Sequence, residues 1–235
     1  MRFSSRDESV ETQELTIAAI EKLGGNVEFV EENPGMQVVG VNLTNPKVID
    51  QDLKHLKGLT NLQELSLDTT KVTDSGLEHL KGLINLKQLS LDDTKITDYG
   101  LKHLEGLTSL EYLFLNITKV TDSGLEHLKG LTKLRELYLQ NTNVTDSGLE
   151  HLEGLSKLRG LYLDDTNVTD SGLDHLEGFS NLEYLYLDDT RITDSGLEHL
   201  KGLTSLKFLS LNGTKVTDEG VKKLEMALPD CEIYF

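Results

Sequence analysis

The string TDSGLEHL begins at Thr73, and close copies begin at Thr97, Thr121, Thr145, Thr169, Thr193 and Thr217, each 24 residues after the last. A degenerate copy, IDQDLKHL, begins at Ile49. A constant period of this length restricts the chain to a solenoid, a propeller or an array. One unit is too small to bury its own leucines, so neighbouring units must stack and bury them for one another.

Each unit has two halves. The first follows L-x-x-L-x-L-x-x-T-x-V/I, as in Leu62, Leu65, Leu67, Thr70 and Val72. Leucines that alternate with polar residues predict a short strand with one buried face. The second half is TDSGLEHLKGL, where Leu77, Leu80 and Leu83 give an apolar helical stripe. Thr73 or Asp74 is placed to cap its first turn and Gly82 to end it.

These motifs resemble the leucine-rich repeat superfamily, in the 24-residue form common in bacterial proteins, and the match covers about residues 36 to 224. Many members carry asparagine or cysteine at the ninth motif position. Here Thr70, Thr94, Thr118, Thr142, Thr166, Thr190 and Thr214 stand there, and threonine can still bond the turning backbone. The resemblance implies an α/β leucine-rich-repeat solenoid. Such a horseshoe has a parallel β-sheet on its concave face and short α-helices on its convex face.

The ends of a stack expose leucines and need covers. Thr12 to Gly25 reads as an amphipathic helix closed by glycines, followed by a strand, a turn at Pro34-Gly35 and the first solenoid strand. The expected organisation is a disordered tail over 1–10, an N-terminal cap over 11–35, about eight repeats over 36–224, and a C-terminal cap strand over 225–235. In that last segment Cys231, Ile233 and Phe235 alternate on one face.

The chain carries 40 acidic and 23 basic residues, a net charge of −17. That balance argues against nucleic acid, which needs a basic face, and against anionic membrane surfaces. It suits a basic partner. The single cysteine, Cys231, has no partner for an internal disulfide, and no C-x-x-C pair suggests zinc. MRFSSRDESV lacks the apolar core of a leader, so a cytoplasmic location is expected, or a secreted or periplasmic one had a leader been removed.

On the predicted strands, residues beside the leucines project over the concave surface. The position between the two strand leucines reads Ser66, Ser90, Phe114, Tyr138, Tyr162, Tyr186 and Ser210. Four consecutive repeats thus carry aromatics, about 5 Å apart. The preceding column adds Tyr112, Tyr184 and Phe208. An acidic column follows, including Asp164, Asp165, Asp188 and Asp189, and Arg135 and Arg159 stand at the strand starts. Aromatics favour strands in general, but the flanking repeats use serine at the same position, so propensity alone did not dictate them. A contiguous aromatic stripe marks an interaction surface.

Seven histidines, from His55 to His199, also recur every 24 residues, one per helix. They are expected to form a line without the convergence that zinc needs. The LDDT carboxylates lack the spacing and glycine of a calcium loop, so neither metal nor cofactor is expected. Five N-x-T sequons, at Asn42, Asn116, Asn143, Asn167 and Asn212, follow from the repeat itself. No nucleophile elbow, phosphate loop or H-E-x-x-H is present, which points away from an enzyme.

The expected function is a non-enzymatic module that binds a basic protein or peptide on its concave face. Tyr112, Phe114, Tyr138, Tyr162, Tyr184, Tyr186 and Phe208 would act with Arg135, Arg159 and the four aspartates. Carbohydrate recognition on the same face and self-association as a scaffold are the alternatives.

Overall fold

The computed structural model describes residues 5–32 and 35–235, with side chains described for 13–31 and 36–235. Ten strands form one open sheet in sequence order: β1 (Asn26–Glu32), β2 (Gly35–Asn42), β3 (Glu64–Ser66), β4 (Gln88–Ser90), β5 (Tyr112–Phe114), β6 (Glu136–Tyr138), β7 (Gly160–Tyr162), β8 (Tyr184–Tyr186), β9 (Phe208–Ser210) and β10 (Glu232–Tyr234). β1 runs antiparallel to β2 and every later pair is parallel. From β3 to β9 the register steps by one repeat, so Leu65, Leu89, Leu113, Leu137, Leu161, Leu185 and Leu209 lie side by side. The fold is the expected solenoid.

The convex side explains itself from the leucine spacing. Asp74–Leu77 is one α-turn, and Glu78–Leu80 continues as 3-10 helix. Three residues per turn is the 3-10 period, so Leu77, Leu80 and Leu83 fall on one inward line. All three are fully buried. Each such leucine contributes about 1.5–3 kcal/mol by leaving water.

Thr73 does occupy the N-cap position, but its hydroxyl makes no cap bond. Instead its N–H and hydroxyl both donate to Asp50 in the repeat before, at 2.7 Å each. The same grip recurs along the array, for example Thr193 on Asp170 and Thr217 on Asp194. It also explains the motif glycine: a Cβ on Gly100 would lie 2.5 Å from Asp74 Oδ1. Gly82 plays no comparable part. It has no positive φ and nothing near its missing Cβ. The ninth-position threonines Thr70 to Thr190 are buried, and each hydroxyl donates to the leucine carbonyl three residues back, as Thr166 does to Leu163 at 2.6 Å.

The ends differ in detail from expectation. Helix α1 spans Ser5–Lys22, so residues 5–10 are helical where a disordered tail was expected. That segment has no proline or glycine to stop the helix from extending. Thr16 and Ile20, one turn apart, are its buried line, and Gly24 ends it with φ +80°. The turn expected at Pro34-Gly35 includes residues 33–34, which lie outside the described residues. At the other end, the helix Asp218–Ala227 runs past the expected boundary at 225 before Leu228-Pro229 breaks it. β10 then pairs with β9, with Ile233 beside Leu209.

Candidate functional site

Parallel strands carrying aromatics in register bring the rings within reach of one another. Phe114, Tyr138, Tyr162 and Tyr186 stack face to face across β5–β8, with ring centroids 4.3, 3.9 and 4.8 Å apart. The column then meets a small residue, Ser210 in β9. Phe208, two residues earlier on that strand, continues the stack at 5.0 Å from Tyr186, and Tyr234 of β10 lies 5.2 Å beyond it. Six rings therefore form one ladder. Tyr234 was not among the expected site residues; it lies on the face opposite Cys231 and Ile233, which pack against the core, whereas Phe235, expected to share their face, is 51% exposed.

The glycine of β7 shapes the ladder locally. A Cβ on Gly160 would sit 3.0 Å from Tyr162 Cε2 and 3.3 Å from its hydroxyl, so the Tyr162 ring folds back along its own strand. Tyr138 bends likewise, its hydroxyl donating to Glu136 Oε2 at 2.5 Å. Burial among the rings, reinforced by that carboxylate, pushes the Tyr138 phenol well above the usual range. Burial raises Tyr162 and Tyr186 as well. All three phenols are neutral at physiological pH. Tyr112 and Tyr184 stand half-buried in the neighbouring column, outside the stack.

The paired aspartates divide into two roles. Asp164 Oδ1 accepts the Asp188 backbone N–H at 2.9 Å, and Asp188 Oδ1 accepts the Asn212 N–H at 2.8 Å. Asp68, Asp92 and Asn116 do the same for the repeats after them. Asp164 and Asp188 are therefore rungs of a backbone-capping ladder, a structural task that their expected role in partner selection leaves out. Burial raises the Asp92 and Asp164 carboxyls, offset by hydrogen bonds from Asn116 and Gln140 respectively.

Asp165 and Asp189 have another duty. They sit at φ 55° and 54° in the left-handed region, in a series with Thr69, Asp93, Ile117, Asn141 and Gly213. Aspartate, asparagine and glycine tolerate that conformation best. Both side chains are exposed at the end of the strands.

The strand-start arginines are not free cations. Arg135 pairs with Glu111 at 2.8 Å, and Arg159 pairs with Glu183 at 2.8 Å, where Lys207 joins at 2.7 Å. Lys207 and Arg159 together hold the Glu183 carboxyl below its usual range. Asp165 and Asp189 are exposed acids beside the aromatic ladder, and among the described residues neither forms an ion pair.

Among the described residues, no helix is long and apolar enough to cross a membrane. A family model described as leucine rich repeat matches residues 60–120 and 157–216, and a second leucine-rich-repeat model matches 130–152. No curated protein matches the chain. Among solved structures, internalin C2 from Listeria monocytogenes is similar at 26% identity and a TM-score of 0.63. The match covers 84% of this chain and 92% of that one.

Proposed function

Because the chain belongs to the leucine-rich repeat family, whose solenoids are protein-interaction modules, we propose that it binds a basic protein or peptide on its concave face. The observation that carries this reading is the six-ring ladder from Phe114 to Tyr234. β3 and β4 hold the same register with serine at the ladder position, so the solenoid does not need the rings in order to form. Large amphipathic rings are strong interface anchors at low entropic cost.

The stacking also bears on carbohydrate recognition. A sugar docks against a ring face, and the faces of Tyr138, Tyr162 and Tyr186 are already covered by neighbouring rings. What the ladder offers is a row of edges and hydroxyls, which suits an extended peptide or a strand laid across it. Asp165, Asp189 and the net charge of −17 favour a basic partner and would speed its encounter. The role is non-enzymatic in this reading.

The test is a paired capture from the source cell with the native chain and a Tyr138→Ser/Tyr162→Ser double variant. Serine is chosen because Ser66 and Ser90 occupy the equivalent positions. Captured protein should be lost from the variant and should elute as salt rises, while circular dichroism stays unchanged. Undiminished capture by the variant would sink the assignment.

A further inference from the structure

The histidine column is expected from sequence to form a line with no convergence, but the structure supplies carboxylates from the repeat before. His127, His175 and His199 each direct Nδ1 at a glutamate 22 residues earlier: Glu105 at 2.6 Å, Glu153 at 2.8 Å and Glu177 at 3.1 Å. For His199 a second carboxylate closes in, with Asp174 Oδ1 at 3.6 Å. Ligand atoms of Asp174, Glu177 and His199 all lie within 4.8 Å of one another.

We propose that Asp174, Glu177 and His199 form a binding site for a first-row divalent transition metal, zinc being the probe of choice. Zn–N and Zn–O bonds of about 2.0–2.1 Å place tetrahedral donors about 3.3–3.4 Å apart. The 3.1 and 3.6 Å separations around His199 Nδ1 bracket that edge. One imidazole with two carboxylates suits zinc, nickel or copper. Calcium prefers six to eight oxygens, which this cluster does not offer. A fourth position would remain open to water.

Comparison among repeats isolates the site. The residues 22 and 25 positions earlier differ from one histidine to the next between His79 and His199, and they set which side chains the preceding repeat offers to each ring. The nearer position is Lys57, Lys81 and Lys129 for His79, His103 and His151. Consistent with that, Nδ1 of His79 and of His151 is buried with no hydrogen-bond partner. His127 has Glu105, but Lys102 stands at the farther position. Only His175 and His199 have acid at both. Glu150 does not join the His175–Glu153 pair within ligand distance, whereas Asp174 does join His199.

His199 also lies in an α-turn, Leu197–Leu200, where His127 and His175 lie in 3-10 segments. Metal there would clamp one repeat to the next on the convex side, away from the aromatic ladder.

The experiment is calorimetric titration of zinc chloride into the full chain at neutral pH. The variants are His199→Gln and Glu177→Lys, with Glu105→Lys as the control. Lysine stands naturally at the Glu177 position in other repeats, so the fold tolerates it. One zinc equivalent should bind the native chain and the Glu105→Lys control alike, and weaken about 10–100-fold or more in the other two. In an NMR spectrum the His199 ring signals should shift first on zinc addition. No uptake at submillimolar zinc overturns the site, as does uptake indifferent to both variants.

Discussion

Strands β3–β4 and β5–β8 rest on the same leucines and face solvent differently. Leu65, Leu89, Leu137 and Leu161 are all buried to within a percent. Above them, one end carries Ser66 and Ser90, whose hydroxyls both donate to Asp68. The other end carries the stacked rings, and there Asp164 takes its side-chain bond from Gln140 Nε2 at 2.6 Å. One core thus supports two surfaces, one polar and self-satisfied, the other aromatic. The solenoid separates what folds from what is displayed, because alternate strand residues point to opposite faces.

The strongest challenge to this separation lies in the core. Leu65→Ala and Leu137→Ala should each cost about 2–5 kcal/mol in urea unfolding, with the two values close to one another. A much larger cost at Leu137 would show that the ring ladder is coupled to the core beneath it, and the two ends would no longer be equivalent.

A smaller effect probes the turns. Ile117 is β-branched, 55% exposed and held at φ 55°, where its neighbours along the series are Asp93 and Asn141. Ile117→Asn should raise stability by about 1 kcal/mol through relief of that conformation. Thr69, at φ 57° on the serine side, donates its hydroxyl to the Asp68 carbonyl at 2.6 Å. Thr69→Asn should therefore gain less. Equal urea midpoints for the native chain and Ile117→Asn would mean that the isoleucine makes a compensating contact.

The smallest effect is in the titrations. Burial raises Asp92, at the serine end, and Asp164, in the aromatic half. A carboxyl raised in the folded state favours the protonated form there. Its stabilisation is present below about pH 4, the unfolded value, and is lost as pH rises through the folded one. Glu183 runs the other way, held down by Lys207 and Arg159, so its contribution is present above its unfolded value and is lost as pH falls. Carboxyl carbon NMR should place Asp92 and Asp164 above the ordinary aspartate range and Glu183 below that of glutamate. Matching midpoints at Asp92 and Asp164 would extend the shared framework to its polar rungs.

Much of this was legible in the chain itself. Thr73 to Thr217 set the period, Leu65 and Leu67 the strand, and the run Phe114, Tyr138, Tyr162, Tyr186 placed four rings in one column. The three-residue spacing of Leu77, Leu80 and Leu83 matches a short α-turn that tightens into 3-10 helix. Less visible was the division of labour within Asp188-Asp189. Both look alike in sequence, yet one accepts a backbone N–H from the next repeat while the other occupies a left-handed turn. The ion pairs of Arg135 and Arg159 are hidden for the same reason, since Glu111 and Glu183 lie one repeat away.

By itself, then, the sequence determined the period, the buried leucines and the side of the sheet on which each strand residue falls, because these follow from spacing along one chain. Tertiary structure alone decided which residues of neighbouring repeats touch. Contacts between neighbouring repeats made Phe208 and Tyr234 the last rungs of the ring ladder. They also brought Asp174 and Glu177 to His199, 25 and 22 residues away. Such contacts depend on how one repeat is set against the next, and no local pattern records that.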